Sequence, residues 1–191
     1  MRHTEVYSDR KLEIEGALLE LMKDRPLADI RINDLASKLK LVRKTFYHYY
    51  PNKMACLESM TDRLLYERDL QLMQTLPENA PLQEQYAGQL RFWMGHRDFL
   101  EAIIANRLGD FLIERTMAHT TREYPELLKR LDTGCVACDE DVLFFYVTGQ
   151  ISLLLKWCGE GFRLGVEEMA AKTVRLLHEP LVRIRDEGFR D

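Results

Sequence analysis

Residues Arg31 to Lys53 read R-I-N-D-L-A-S-K-L-K-L-V-R-K-T-F-Y-H-Y-Y-P-N-K, and the spacing of apolar residues in this stretch decides the fold. Leu35, Ala36 and Leu39 recur at helical intervals before a short break at Lys40 to Val42, and Phe46 and Tyr50 recur after it. The spacing predicts one helix over Ile32 to Leu39, a tight turn, and a second helix over Arg43 to Tyr50. On a helix turning about 100° per residue, Arg43, Lys44, Tyr47 and His48 cover one arc, while Phe46 and Tyr50 share another. The aromatic arc is expected to face a core and the basic arc to face outward. Six Lys and Arg stand against the single acid Asp34, a charge of +5 inside a chain of net charge −4.

Outward from this stretch the periodicity stays helical. Leu12, Ile14, Ala17, Leu18, Leu21 and Met22 predict a first helix from Ser8 to Lys23, capped by Ser8 or Asp9 and ended by Asp24-Arg25-Pro26. Leu27 and Ile30 are then expected to pack under the next helix. Pro51 breaks the chain, and Asn52 can cap a fourth helix running to Leu76. Two prolines within Pro77 to Pro81 mark a boundary. Helical stretches follow at Leu82–Gly95, Arg97–Arg107, Asp110–Glu123, Pro125–Leu131, Glu140–Cys158 and Val166–Val182. The expected architecture is all-α, with about nine helices: residues 1–53 a helix-turn-helix domain with its motif at 31–50, residues 54–76 a connecting helix, and residues 77–191 a larger C-terminal domain.

Composition narrows the function. The 191 residues are 46% hydrophobic, enough for one ordinary domain and a small appended one. Residues 1–53 carry a net charge of +3 and residues 54–191 a net of −7, so one end suits a polyanion such as DNA and the other would be repelled by it. No apolar run reaches the roughly 20 residues of a membrane span, and the first residues lack the apolar stretch of a signal peptide, so a cytoplasmic chain with no membrane partner is expected. The cysteines Cys56, Cys135, Cys138 and Cys158 are expected as reduced thiols. Cys135 and Cys138 form C-V-A-C, but no second pair at metal-ligand spacing accompanies them, so no metal or other cofactor is expected. Phosphate-binding loops, nucleophile elbows and zinc-protease motifs are all missing, which predicts no catalytic residues and no enzyme.

Asp34 to Lys53 resembles the TetR family of bacterial transcriptional regulators, whose motif runs close to D-[IL]-A-x-x-A-G-V-S-x-x-T-[LF]-Y-x-[YH]-F-x-x-K. The agreement lies at Asp34, Ala36, Thr45, Phe46, Tyr47, Tyr49, Tyr50 and Lys53. The resemblance implies a sequence-specific regulator, most often a repressor released by a small-molecule effector, acting as a homodimer on a pseudo-palindromic double-stranded DNA operator. It implies phosphate contacts from Thr45, Tyr47, Tyr49 and Lys53, and base-edge positions for Arg43, Lys44 and His48. Arg31, where the family often starts its second helix with Thr or Ser, gains a potential phosphate contact and loses a cap. The family's Ala-Gly-Val-Ser turn is Leu39-Lys40-Leu41-Val42 here, so Val42 cannot cap the next helix, and Lys40 is strained if that position needs a positive φ. A helical dimeric interaction module without sequence-specific DNA binding is the alternative, and this altered turn is its best support.

For the C-terminal domain the resemblance implies an effector pocket and a dimer face. Pocket candidates are Tyr86, Phe92, Trp93, Met94, His96, Phe99, Ile103, Phe111, Met117 and His119, which mix apolar bulk with polar handles; the competing reading of each is plain core. Asp139 to Gly161 is apolar nearly all round, and the small Thr148, Gly149 and Ser152 permit close helix approach. Phe144, Thr148, Ile151, Ser152, Leu155, Met169, Thr173 and Leu176 are the dimer candidates across a four-helix interface, with a central core helix as the alternative.

Overall fold

The computed structural model describes residues 9–123 and 140–178. Ser8, the expected helix at Pro125–Leu131 and the Cys135–Cys138 pair lie outside the described residues. Within them are nine α-helices, a 3-10 turn and no strand, in line with the all-α reading.

The N-terminal unit is α1 (Asp9–Asp24), the 3-10 turn Leu27–Asp29, α2 (Ile32–Lys38) and α3 (Arg43–Tyr49). Its core is formed by Ile14, Leu18, Met22, Leu27, Ile30, Leu35 and Phe46, all buried. Arg25 and Pro26 end α1, and the turn that follows seats Leu27 and Ile30 beneath α2, as their apolar character requires. A long α4 (Lys53–Thr75) leaves this unit, its first turn capped by the Asn52 side chain, which accepts from the Ala55 N–H at 2.9 Å. The C-terminal region comprises α5 (Leu82–Gly95), α6 (Arg97–Ala105), α7 (Gly109–Glu123), α8 (Glu140–Gly159) and α9 (Val166–Leu177). There α9 lies along α5, α7 lies along α8, and α4 threads between α1, α5 and α7.

Two polar devices join these parts, and sequence periodicity gives no sign of either. Glu15, 1% exposed, accepts from the Tyr50 hydroxyl at 2.9 Å and from the Arg63 guanidinium at 2.9 and 3.1 Å, tying α1, the end of α3 and α4 together. A buried carboxylate is tolerated only with such partners. Burial also pushes the Tyr50 hydroxyl far above its usual pKa, so it stays a donor. At the other junction Asn106, just past α6, accepts from the Leu27 N–H at 2.5 Å and donates to the Met22 and Ala102 carbonyls at 3.1 and 2.8 Å.

By length and composition alone Asp141–Gly159 within α8 is apolar enough to cross a membrane. In this fold it packs against α6, α7 and α9.

Candidate nucleic-acid interface

The turn between α2 and α3 is built by backbone hydrogen bonds. The Lys40 N–H donates to the Ser37 carbonyl at 3.2 Å and the Leu41 N–H to the Ala36 carbonyl at 2.8 Å, the paired bonds that close a helix in a Schellman motif. That motif needs a left-handed residue, and Lys40 occupies it with φ 53°. A lysine there gives up about 1–2 kcal/mol that glycine would not. Val42 stands at the N-cap of α3, 70% exposed and with no side-chain bond to the helix. The Thr45 N–H turns instead to the Val42 carbonyl at 2.9 Å. The turn therefore keeps its geometry without the small and capping residues, at a cost in stability.

The start of α2 recovers the cap that Arg31 cannot provide, since arginine has no acceptor. Asp34, three residues on, reaches back to accept from the Arg31 N–H at 2.8 Å and also lies 3.3 Å from Arg25. The single acid of the basic stretch is thus part of its scaffold.

Phe46 and Tyr50 are buried and turn the opposite side of α3 outward. Arg43, Lys44, Tyr47 and His48 are all exposed on that side. The Arg43 guanidinium donates to the Tyr47 hydroxyl at 2.9 Å and lies 5.3 Å from the centre of its ring, which stiffens both side chains. Thr45 and Tyr49 are half-buried at the flanks, with the Tyr49 ring edge-on to His48, and Arg31 is exposed at the start of α2.

Lys53 requires a correction. Its ammonium donates to the carbonyls of Leu27, Ala28 and Ile30 at 2.5, 2.8 and 2.8 Å, which engages all three of its protons. It clasps the 3-10 turn to the start of α4 and has no proton left to offer a phosphate in this arrangement. Lys38 is likewise paired, with Glu20 of α1 at 2.7 Å. Arg31, Lys40, Arg43 and Lys44 make no ion pair among the described residues, so the outward charge is narrower than the composition of the stretch implies.

A cavity of 280 Å³ opens in the C-terminal region between α4, α5, α7 and α8. Of the pocket candidates, Tyr86 alone lines it. Phe92, Phe99 and Ile103 are core, Trp93 is buried beside Phe92 and Phe99, and Met94 is exposed. His96 stacks on Phe92 and hydrogen-bonds its carbonyl, while Phe111 and Met117 pack against the core from its edge. His119 is buried behind the cavity wall, its Nε2 2.6 Å from Asp69 Oδ2. Burial alone would raise the Asp69 pKa, but the bond from His119 and the adjacent Arg68 outweigh it and hold the carboxyl below its usual value. The wall that sequence reasoning missed is polar: Arg68, Asp69, Gln85, Gln89 and Gln150. At one end the Tyr86 hydroxyl meets His178 Nε2 at 2.9 Å, and burial lowers the His178 pKa.

The dimer candidates also divide. Ile151, Met169 and Thr173 are buried within the chain and cannot reach a second copy. Gly149 serves the same internal packing, since a Cβ there would stand 2.7 Å from a methyl of Leu177. Phe144, Ser152 and Leu176 are exposed, Thr148 and Leu155 half-buried, and Phe145 is a further exposed aromatic. Cys56 and Cys158 are buried thiols with raised pKa, and no cluster of metal-ligating side chains occurs among the described residues.

No family model matches the chain. Over 71 residues, 37% of its length, it is 46% identical to the HTH-type transcriptional regulator EthR of Mycobacterium tuberculosis. That match spans about a third of the relative, 32% of its length. A tetR-family transcriptional regulator from Streptomyces coelicolor superposes with a TM-score of 0.60 at 20% identity, covering 94% of this chain and 83% of that one. The chain has the TetR-family fold. A TetR-like transcriptional regulator from Rhodococcus sp. RHA1 agrees, with a TM-score of 0.62 at 15% identity over 91% of this chain and 96% of the other. Within this fold α2 and α3 form the helix-turn-helix, and the long α4 follows it ahead of α5 to α9.

Proposed function

We propose that this chain is a sequence-specific DNA-binding transcriptional regulator of the TetR type, a cytoplasmic homodimer that represses until a small-molecule effector releases it from its operator. The observation that supports this best is the outward arc of Arg43, Lys44, Tyr47 and His48 on a helix pinned from behind by Phe46 and Tyr50. Arginine and lysine on such an arc can donate to guanine acceptors in the major groove, and the tyrosine hydroxyl can reach a phosphate. A homodimer supplies two recognition helices to successive major grooves about 34 Å apart, and the exposed Phe144, Phe145 and Leu176 are apolar surface for pairing. An effector in the C-terminal cavity acts by changing the separation of the two α3 helices through α4, which lines the cavity and begins beside α3.

Selection of binding sites from random DNA is the direct test. The expected result is one enriched pseudo-palindrome, bound more weakly by the Lys44→Ala variant. Recovery of unrelated sequences with no enrichment would overturn the reading in favour of a helical interaction module.

A further inference from the structure

The wall of the 280 Å³ cavity carries a charged side chain that packing does not require. Arg68 is 8% exposed and lines the cavity. Its Nε and Nη2 both meet Asp69 Oδ1, at 2.8 and 2.7 Å, whereas Nη1 has no hydrogen-bond partner among the described residues. A guanidinium has five N–H donors, so Asp69 leaves part of the Arg68 fork unoccupied on a residue that lines the hollow. Beside it, Gln89 accepts from the Gln150 amide at 2.5 Å, which fixes its oxygen and leaves its own N–H₂ as a second donor on the cavity wall. The lining also includes the apolar Leu72, Leu143 and Val147.

We propose that this cavity binds a small amphipathic monocarboxylate, its carboxylate on Arg68 and Gln89 and its hydrocarbon body against Leu143 and Val147. The proposal rests on the cavity being the effector site of the regulator proposed above, and adds the chemical class of the effector. Size fits a small ligand, because 280 Å³ lies near the lower end of the range of ligand pockets, about 300 Å³. Charge limits the ligand to a single negative group: Arg68 already shares its charge with Asp69, so a dianion would meet the Asp69 carboxylate with too little positive charge to balance it.

The test is calorimetry on the full chain with hexanoate, benzoate and phenylacetate, each against its primary amide and with hexyl phosphate as a further probe, and with operator release measured in parallel. At least one acid should bind one molecule per chain, about tenfold or more tighter than its amide, as a charge-assisted bond implies. That margin should disappear in Arg68→Gln, whose fold is checked by circular dichroism. The acid-to-amide ratio in the unaltered chain stands as evidence even if that variant unfolds. The proposal is overturned if no acid exceeds its amide, or if hexyl phosphate binds more tightly than every acid. Tight acid binding without operator release would overturn the effector role and keep the ligand class. Release by amides as readily as by acids would do the reverse.

Discussion

The two halves of this molecule use charge in opposite directions. In the N-terminal unit the core is filled and the cations face outward on α3, and the polar groups that do point inward, Glu15 and Lys53, are matched to specific partners. In the C-terminal region a charged cluster faces inward around a hollow, and one edge of Arg68 is left without a partner. The difference separates a surface that must hold its shape before it meets anything from a cavity whose polar groups are matched only when something enters. Rigidity in the first comes from buried polar bonds; responsiveness in the second comes from bonds not yet made.

The comparison breaks first at Glu15 if it breaks at all. Arg63→Met leaves that buried carboxylate without its strongest counter-charge and should cost about 3 kcal/mol in urea denaturation; a loss under about 1 kcal/mol would mean that the N-terminal unit is not held by this pair. Next comes Lys53→Met, which removes three bonds to backbone carbonyls and should destabilise by about 2 kcal/mol. Its salt dependence of operator binding should match the parent's, since a clasp releases no counterions; a slope reduced by about 1 would return Lys53 to the phosphate contacts. Lys44→Ala should leave stability unchanged and weaken operator binding about tenfold, within the range of a lost groove contact. The smallest effect belongs to Lys40→Gly: relief of the left-handed strain less the entropy of glycine should stabilise the chain by about 0.5–1 kcal/mol in thermal denaturation.

The N-terminal half was readable because its signals are local. A helix of seven residues between a turn and Pro51 can bury only one arc, so Phe46 and Tyr50 reveal where the basic arc goes. The same stretch could not show that Lys53 points back toward Leu27, because its partners lie 23 to 26 residues earlier and are carbonyls with no side-chain signature. In the C-terminal half the partners of each helix are not local, and residue type misleads. Phe92, Trp93, Phe99 and Ile103 have the bulk of pocket residues but fill the core, while Arg68 and Asp69 look like ordinary solvated charges of a long helix and instead line the cavity. A helix as uniformly apolar as α8 cannot reveal which third of its surface faces α7 and which faces outward. Ile151 therefore seemed interfacial and is buried, and Phe145 passed unnoticed and is exposed.

Asn106 carries a consequence of a different kind. Its amide both accepts, from Leu27, and donates, to Met22 and Ala102, at the seam between α6 and the N-terminal unit. Aspartate would have the length but not the donor, leucine the bulk but neither function, and glutamine both functions on a longer stem. The seam thus works as a keyed coupling, admitting one side-chain chemistry, so how these two parts are joined is encoded more narrowly at this single position than in the broad apolar contact around it.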